Sequence, residues 1–226
     1  VPENEKFQEK VSEAQSWGPR ESFVGWKVGN EGGKFGPAIS QAVGTSNFDL
    51  SYNGLGDNEM KKIADGVQRN FIANPPPAEG NGISGKIVKL NLSNNHIHAV
   101  GIGYLCAALT PKEPRAKFSL EELNLANNAI GPEGAEAIAT LLGINRQLKR
   151  VNLSWNNIAN RGFLALCKNL KEHHADARIN ISYNEFDLQD PEWDEEAIKV
   201  ATRVLGGREA RETVFVGWNE TALRDL

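Results

Sequence analysis

The four histidines and two cysteines are the first side chains to test for chemistry. His96 and His98 stand one residue apart, and His173 and His174 are adjacent. Adjacent imidazoles are poorly placed to share a metal, and no carboxylate or thiol has matching ligand spacing. Solvated imidazole is the simpler reading. Gly80-Asn-Gly-Ile-Ser-Gly85-Lys86 has most of a phosphate-cradling loop, but Ile87 stands where a Ser or Thr must hold magnesium. The context fails too: such a loop follows a strand and opens a helix, whereas here a Pro-rich stretch precedes and a strand pattern follows. The acids between Asp190 and Glu196 read as a helix start, favoured by the helix dipole, rather than as paired catalytic carboxylates. Cys106 and Cys167 fall on an apolar helix face, which leaves no Cys-His pair for nucleophilic work. No catalytic residue, cofactor or metal is expected.

The elements that position these residues come from a repeat. Thr45-x-x-Phe48-x-Leu50-x-x-Asn53-x-Leu55 is followed by Ile87-x-x-Leu90-x-Leu92-x-x-Asn95-x-Ile97 and Leu120-x-x-Leu123-x-Leu125-x-x-Asn128-x-Ile130. Leu148-x-x-Val151-x-Leu153-x-x-Asn156-x-Ile158 and Asp176-x-x-Ile179-x-Ile181-x-x-Asn184-x-Phe186 complete the run. The spacing between successive Asn is 42, 33, 28 and 28 residues, then 35 to Asn219, so the base period is 28. The excess lies in insertions, among them 74–82, 111–114 and the stretch around 187–196, which belong in connecting loops.

After each Asn, apolar residues recur at i, i+3, i+4 and i+7, one face of a helix. They are Met60, Ile63, Ala64 and Val67; Ile102, Leu105, Cys106 and Leu109; Ala135, Ile138, Ala139 and Leu142; Phe163, Leu166, Cys167 and Leu170. Gly101, Gly134 and Gly162 precede that face and are expected to permit a tight loop-to-helix turn. Each unit is therefore strand, turn, helix, with parallel strands about 4.8 Å apart and right-handed crossovers. The five Asn are expected to turn inward, buried, and to bond the backbone of neighbouring turns.

These Asn blocks, with the Gly-x-x-x-Leu or Gly-x-x-x-Ile that follows them, resemble the ribonuclease-inhibitor-like class of leucine-rich repeat proteins across Phe48–Leu205. The resemblance implies an α/β fold: a right-handed solenoid, a short horseshoe with a concave parallel sheet and convex helices. Residues 1–44 are read as a cap helix (Glu3–Trp17) and a degenerate first repeat, with Trp26 in the place of Phe48. Residues 45–205 hold the five repeats, and 206–226 a last strand with Val214-x-Val216-x-x-Asn219 and a cap. Phe-Val-Gly-Trp occurs at both ends, at 23–26 and 215–218.

Composition narrows the function. The net charge of −4, with acids and bases interspersed, argues against a nucleic-acid role. No apolar run reaches membrane-spanning length. The two Cys occupy equivalent helix positions two repeats apart, roughly 10 Å, beyond disulfide reach. Asn91-Leu-Ser93, Asn152-Leu-Ser154 and Asn180-Ile-Ser182 match glycosylation acceptors, but each lies on a strand. Both observations favour an intracellular, reducing compartment. The chain opens on Val, so the start is expected to be trimmed; a cleaved presequence would make that compartment an organelle rather than the cytoplasm.

Alternation along each strand is expected to expose the position before the Asn: Tyr52, Asn94, Asn127, Trp155, Tyr183 and Trp218. Four of the six are aromatic, the residue types that dominate interface hot spots. A second column, Asp49, Asn91, Asn124, Asn152, Asn180 and Phe215, is mostly polar, flanked by charges at Lys89, Glu122, Arg150 and Arg178. Such a floor suits a protein or peptide partner. The expected function is a non-enzymatic protein-binding scaffold, an adaptor or a subunit of a larger assembly. Partner-binding residues are expected among the aromatic column, Asn152, Asn180, Arg150 and Arg178. The alternative is a regulator of a small GTPase, implied by a resemblance in repeat class to Ran GTPase-activating proteins.

Overall fold

The computed structural model describes residues 24–25, 46–75, 83–84, 87–110, 117–173, 178–184 and 214–215. The expected cap helix at 3–17, the acidic helix start at 190–196, His174, Trp218 and Asn219 lie outside them. In chain order the elements are β1 (Val24–Gly25), β2 (Ser46–Asp49), α1 (Asp57–Ala73), β3 (Ile83–Ser84), β4 (Ile87–Asn91) and α2 (Ala99–Leu109). They continue with β5 (Lys117–Phe118), β6 (Glu122–Asn124), α3 (Gly131–Ile144), β7 (Arg150–Asn152), α4 (Ala159–His173), β8 (Arg178–Asn180) and β9 (Val214–Phe215).

Seven strands form one sheet in the order β1-β2-β4-β6-β7-β8-β9, every neighbouring pair parallel. Each helix packs on the next, α1 on α2, α2 on α3 and α3 on α4. Between sheet and helices lies one core. From the strand side come Phe48 and Leu50, Leu90 and Leu92, Leu123 and Leu125, Val151 and Leu153, Ile179 and Ile181, all buried. The described part of the helix face read from the sequence meets them, from Met60 to Cys167, equally buried. Burying each Leu, Ile or Phe contributes about 1.5–3 kcal/mol, so period-28 spacing of these residues dictates the stacking.

The Asn of each repeat fastens the corner where strand turns toward helix. Asn95 Nδ2 donates to the carbonyls of Leu50, Leu92 and Ser93, and its Oδ1 accepts from the N–H groups of Asn53 and Leu55. Asn128, Asn156 and Asn184 repeat the donor set on their own and the preceding repeat. Asn184 Oδ1 accepts from Asn156 and Ile158. Burial is uneven: Asn95 and Asn156 are buried, while Asn53, Asn128 and Asn184 are half-buried, against the expectation for all five. Asn156 Oδ1 is buried without a partner. The loop it would cap turns instead through Gly131, at φ 68°, whose N–H bonds the Asn156 carbonyl.

Three expectations need correction. Gly101, Gly134 and Gly162 do not shape turns; they sit inside the first helical turns where no side chain fits. A Cβ on Gly134 would lie 2.3 Å from Ile130 Cγ2, and one on Gly162 2.8 Å from Ala135 Cβ. At Gly101 it would meet Asp57 Oδ1, which from α1 accepts the N–H groups of His98 and Gly101 and so caps α2. Second, Val24 rather than Trp26 pairs with Phe48. A shift of two residues leaves the same strand face inward, so alternation alone cannot choose between the registers. Third, the connections hold a strand pair that the sequence reading lacked: β3 and β5, which follow the insertions at 74–82 and 111–114, pair in a separate parallel two-stranded sheet, while the insertions themselves, apart from 74–75, lie outside the described residues. β3 is the Ile83-Ser84 of the phosphate-loop look-alike, and the rest of that look-alike lies outside the described residues.

Two measurements check this architecture. Gly103, on the outer side of α2, has open space around it, and Gly103→Ala is expected to raise stability by up to about 1 kcal/mol through helix propensity. Gly134→Ala is expected to lower it, since Ile130 must move; a stabilised Gly134→Ala in urea unfolding would refute the packing. Asn95→Ala removes five hydrogen bonds at a buried corner and is expected to cost about 3 kcal/mol, more than Asn128→Ala. Equal urea midpoints for the two variants would contradict the ladder.

Candidate partner-binding surface

Hydrogen bonding between repeats runs past the strand ends. Leu50, Leu92, Leu125 and Leu153 donate to Asn91, Asn124, Asn152 and Asn180 of the next repeat. Two residues on, Tyr52, Asn94, Asn127 and Trp155 donate to the carbonyls of Ser93, Ala126, Ser154 and Ser182. At that point the chain must leave the sheet. A side-chain turn helps: Oδ1 of Asp49, Asn91, Asn124, Asn152 and Asn180 accepts the N–H of the residue two places later. The Ser51, Ser154 and Ser182 hydroxyls bond the same oxygens.

The column just before the ladder Asn takes the left-handed conformation throughout, with φ of 57° at Tyr52, 57° at Asn94, 53° at Asn127, 60° at Trp155 and 57° at Tyr183. Tyr52, Asn127, Trp155 and Tyr183 are exposed as expected and Asn94 is half-buried; what exposes them is this turn, beyond the strands, rather than the pleat. Asn tolerates the conformation; for other L-residues it costs about 1–2 kcal/mol. Three of the five described positions carry an aromatic ring there regardless.

Tyr52 is 79% exposed, Trp155 54% and Tyr183 50%, among the largest apolar exposures of the described residues. Trp155 and Tyr183 are stacked, with centroids 4.4 Å apart and planes at 14°. Between Tyr52 and this pair, Asn127 Nδ2 donates to Asn94 Oδ1 at 2.8 Å, and Asn94 is half-buried. The column thus reads ring, amide pair, ring pair.

The floor differs from the sequence expectation in two places. Asn152 is buried at 7% exposure, and its oxygen is committed to Ser154. Glu122 is buried as well, because Lys89 Nζ at 3.0 Å and Arg150 Nη2 both close on its Oε1. Arg150 remains about half exposed, and Asn180 half-buried. Arg178 stands opposite Arg150 in register, as Asn180 does opposite Asn152. What sequence reasoning missed is the Lys89–Glu122–Arg150 trio. The signal was present as alternating charge at one repeat position.

His96 and His98 are exposed, and His98 Nδ1 lies 3.8 Å from Asp57. Among the described residues no three His, Cys, Asp or Glu side chains converge on a metal-sized site. No described helix is long and apolar enough to cross a membrane. Cys106 and Cys167 are free and buried, and burial pushes both thiols up to about 12.

The residues that build corner Asn, inward Leu pair and packed helix match a family model, described as Leucine Rich repeat, at residues 80–106, 116–139 and 145–167. These matched repeats, with the relatives below, support a leucine-rich repeat protein of the ribonuclease-inhibitor-like class. The chain is similar to NACHT, LRR and PYD domains-containing protein 13 of Homo sapiens, 34% identical over 89 residues, which is 39% of this chain and 8% of that protein. It is also similar to the Ribonuclease inhibitor of Mus musculus, 27% identical over 150 residues, which is 59% of this chain and 32% of that protein. A solved structure of Leiomodin-1 Actin-Binding Site 2 superposes with a TM-score of 0.43 at 23% identity, over 64% of this chain and 77% of that one. This leucine-rich repeat chain spans a third or less of the length of either curated relative. Proteins of the class generally mediate protein–protein interaction and are typically non-enzymatic.

The raised thiols give a direct check on the core. At pH 8 in native buffer, a thiol reagent is expected to leave both Cys unlabelled, since a group titrating near 12 offers almost no thiolate. Denaturant should release two thiols per chain without reductant. Rapid native labelling would show the helix face to be open.

Proposed function

We propose that this chain is a non-enzymatic protein-binding solenoid, an adaptor or fixed subunit, and that its partner docks on the edge formed by Tyr52, Trp155 and Tyr183. The observation that carries this reading is the left-handed backbone under those rings. Asn is the low-cost residue there, as Asn94 and Asn127 show, so aromatic side chains are held at a local cost. Strain of this kind collects where a surface is used. The Trp155–Tyr183 stack also fixes two large rings in advance, which reduces the ordering entropy of association. The mouse relative is named as an inhibitor of a ribonuclease, itself a protein, which fits a protein partner. The buried free thiols and the burial of Asn152 within its acceptor triplet fit a reducing, intracellular compartment.

Trp155→Asn separates docking from structure. It places the residue native to this column at Asn94 and Asn127 into the same turn. Relief of roughly 1 kcal/mol of backbone strain offsets a lost ring stack of similar size, so the melting curve should shift little. Partner affinity should fall by about 2 kcal/mol, or some thirtyfold. Lys168→Glu, on the exposed side of α4, should bind as the wild type does. The assay is quantitative capture from lysate with each variant, followed by titration of the captured protein. Normal binding by Trp155→Asn with a lowered melting point would make the rings structural and end this proposal.

A further inference from the structure

The two strands beneath the ring stack carry one pattern twice. β7 and its exit read Arg150-Val-Asn152-Leu-Ser154-Trp155, and β8 and its exit read Arg178-Ile-Asn180-Ile-Ser182-Tyr183. They lie side by side with Arg150 opposite Arg178 and Asn152 opposite Asn180. The preceding strands break the pattern, with Lys89 and Glu122 at the Arg position and Asn94 and Asn127 at the aromatic one. Only β7 and β8, among the described strands, combine a guanidinium at one end with a ring at the other.

The charge along this column is unbalanced. Lys89, Arg150 and Arg178 share it with one acid, Glu122, whose Oε1 already takes both Lys89 and Arg150. Like charges directly opposite on neighbouring strands are unfavourable. Arg150, half exposed, gives one terminal nitrogen to Glu122 and has four further N–H donors to offer. An outside carboxylate would satisfy them.

We propose that this strip takes an acidic segment of the partner protein. A carboxylate sits at Arg150, at the end of the strip where Arg178 is the register neighbour, and a flat apolar side chain, aromatic or Pro, lies on the outer face of the Trp155–Tyr183 stack. The identification of the ring end rests on the function proposed above; the acidic end is new. Arg150 and Trp155 are five positions apart, along β7 and into the turn that leaves it, so an extended ligand places its acid at most about five residues from its flat side chain. A nucleic-acid strand fits less well: Glu122 lies in the cationic column, the chain carries −4 overall, and one face of each ring is already stacked.

The test is selection of a random 12-residue peptide display library on the immobilised full chain, followed by titration of a synthesised winning peptide. Expected winners carry Asp or Glu at most about five residues from Trp, Tyr, Phe or Pro. Arg150→Gln should weaken the peptide about tenfold and flatten its salt dependence, with Arg178→Gln as the second variant should the first unfold. Trp155→Asn should weaken it by a similar factor while the salt dependence remains. Lys149→Gln, whose charge pairs with Glu121, should change nothing. No enrichment, enrichment without acids, unaltered affinity in both Arg variants, or tighter binding of a 12-nucleotide oligo(dT) each overturns the proposal. If acids are absent but Trp155→Asn still abolishes binding, the acidic end falls and the aromatic edge stands.

Discussion

A strand that bends away from its sheet must find new partners for the backbone groups it takes along, and here a single carboxamide per repeat supplies them. The Asn side chain is neutral, short and both donor and acceptor, so it can stand in for a missing stretch of backbone inside an apolar core. Asp would bring buried charge, and Gln an extra methylene. Since Asn95, Asn128, Asn156 and Asn184 each donate to two repeats, the same group that closes one corner also fixes the distance to the next. Leu packing then has a constant gap to fill.

The corner also decides where partner-facing side chains can be placed. With the ladder Asn turned in, the residue before it is turned out in left-handed backbone, at every described repeat. Scaffold and surface are thus set by adjacent residues with opposite duties. The core demands sameness at Asn95, Asn128 and Asn156, while Asn94, Asn127 and Trp155 can vary at the cost of local strain alone.

Period, core and strand order were legible in the sequence because Leu and Asn recur at fixed spacing and burial is the only fate that satisfies both. Three other features were not. The register of β1 was ambiguous by two residues because a two-residue slip preserves which face is apolar. The role of Gly134 was hidden because a missing Cβ leaves the same letter whether it relieves a turn or a close contact. The burial of Glu122 depended on Lys89 and Arg150, whose positions 33 residues before and 28 after it become neighbours only once unequal repeats are stacked. For the candidate surface, the aromatic residues could be read from the repeat spacing but not the left-handed turn that displays them, since backbone conformation at a non-glycine position leaves no compositional mark.

The stacked rings of Phe71 and Phe118, 4.1 Å apart and nearly parallel, join the end of α1 to the approach of β6, skipping a repeat. A linear array normally transmits order only between neighbours, so its ends fray one unit at a time. The Phe71–Phe118 contact and the β3–β5 pairing stitch the first three repeats across that limit. Under mechanical or thermal load this block should give way as one unit, leaving the repeats that begin at β7 and β8 as the more independently yielding part of the solenoid, and those are the repeats that carry Trp155 and Tyr183.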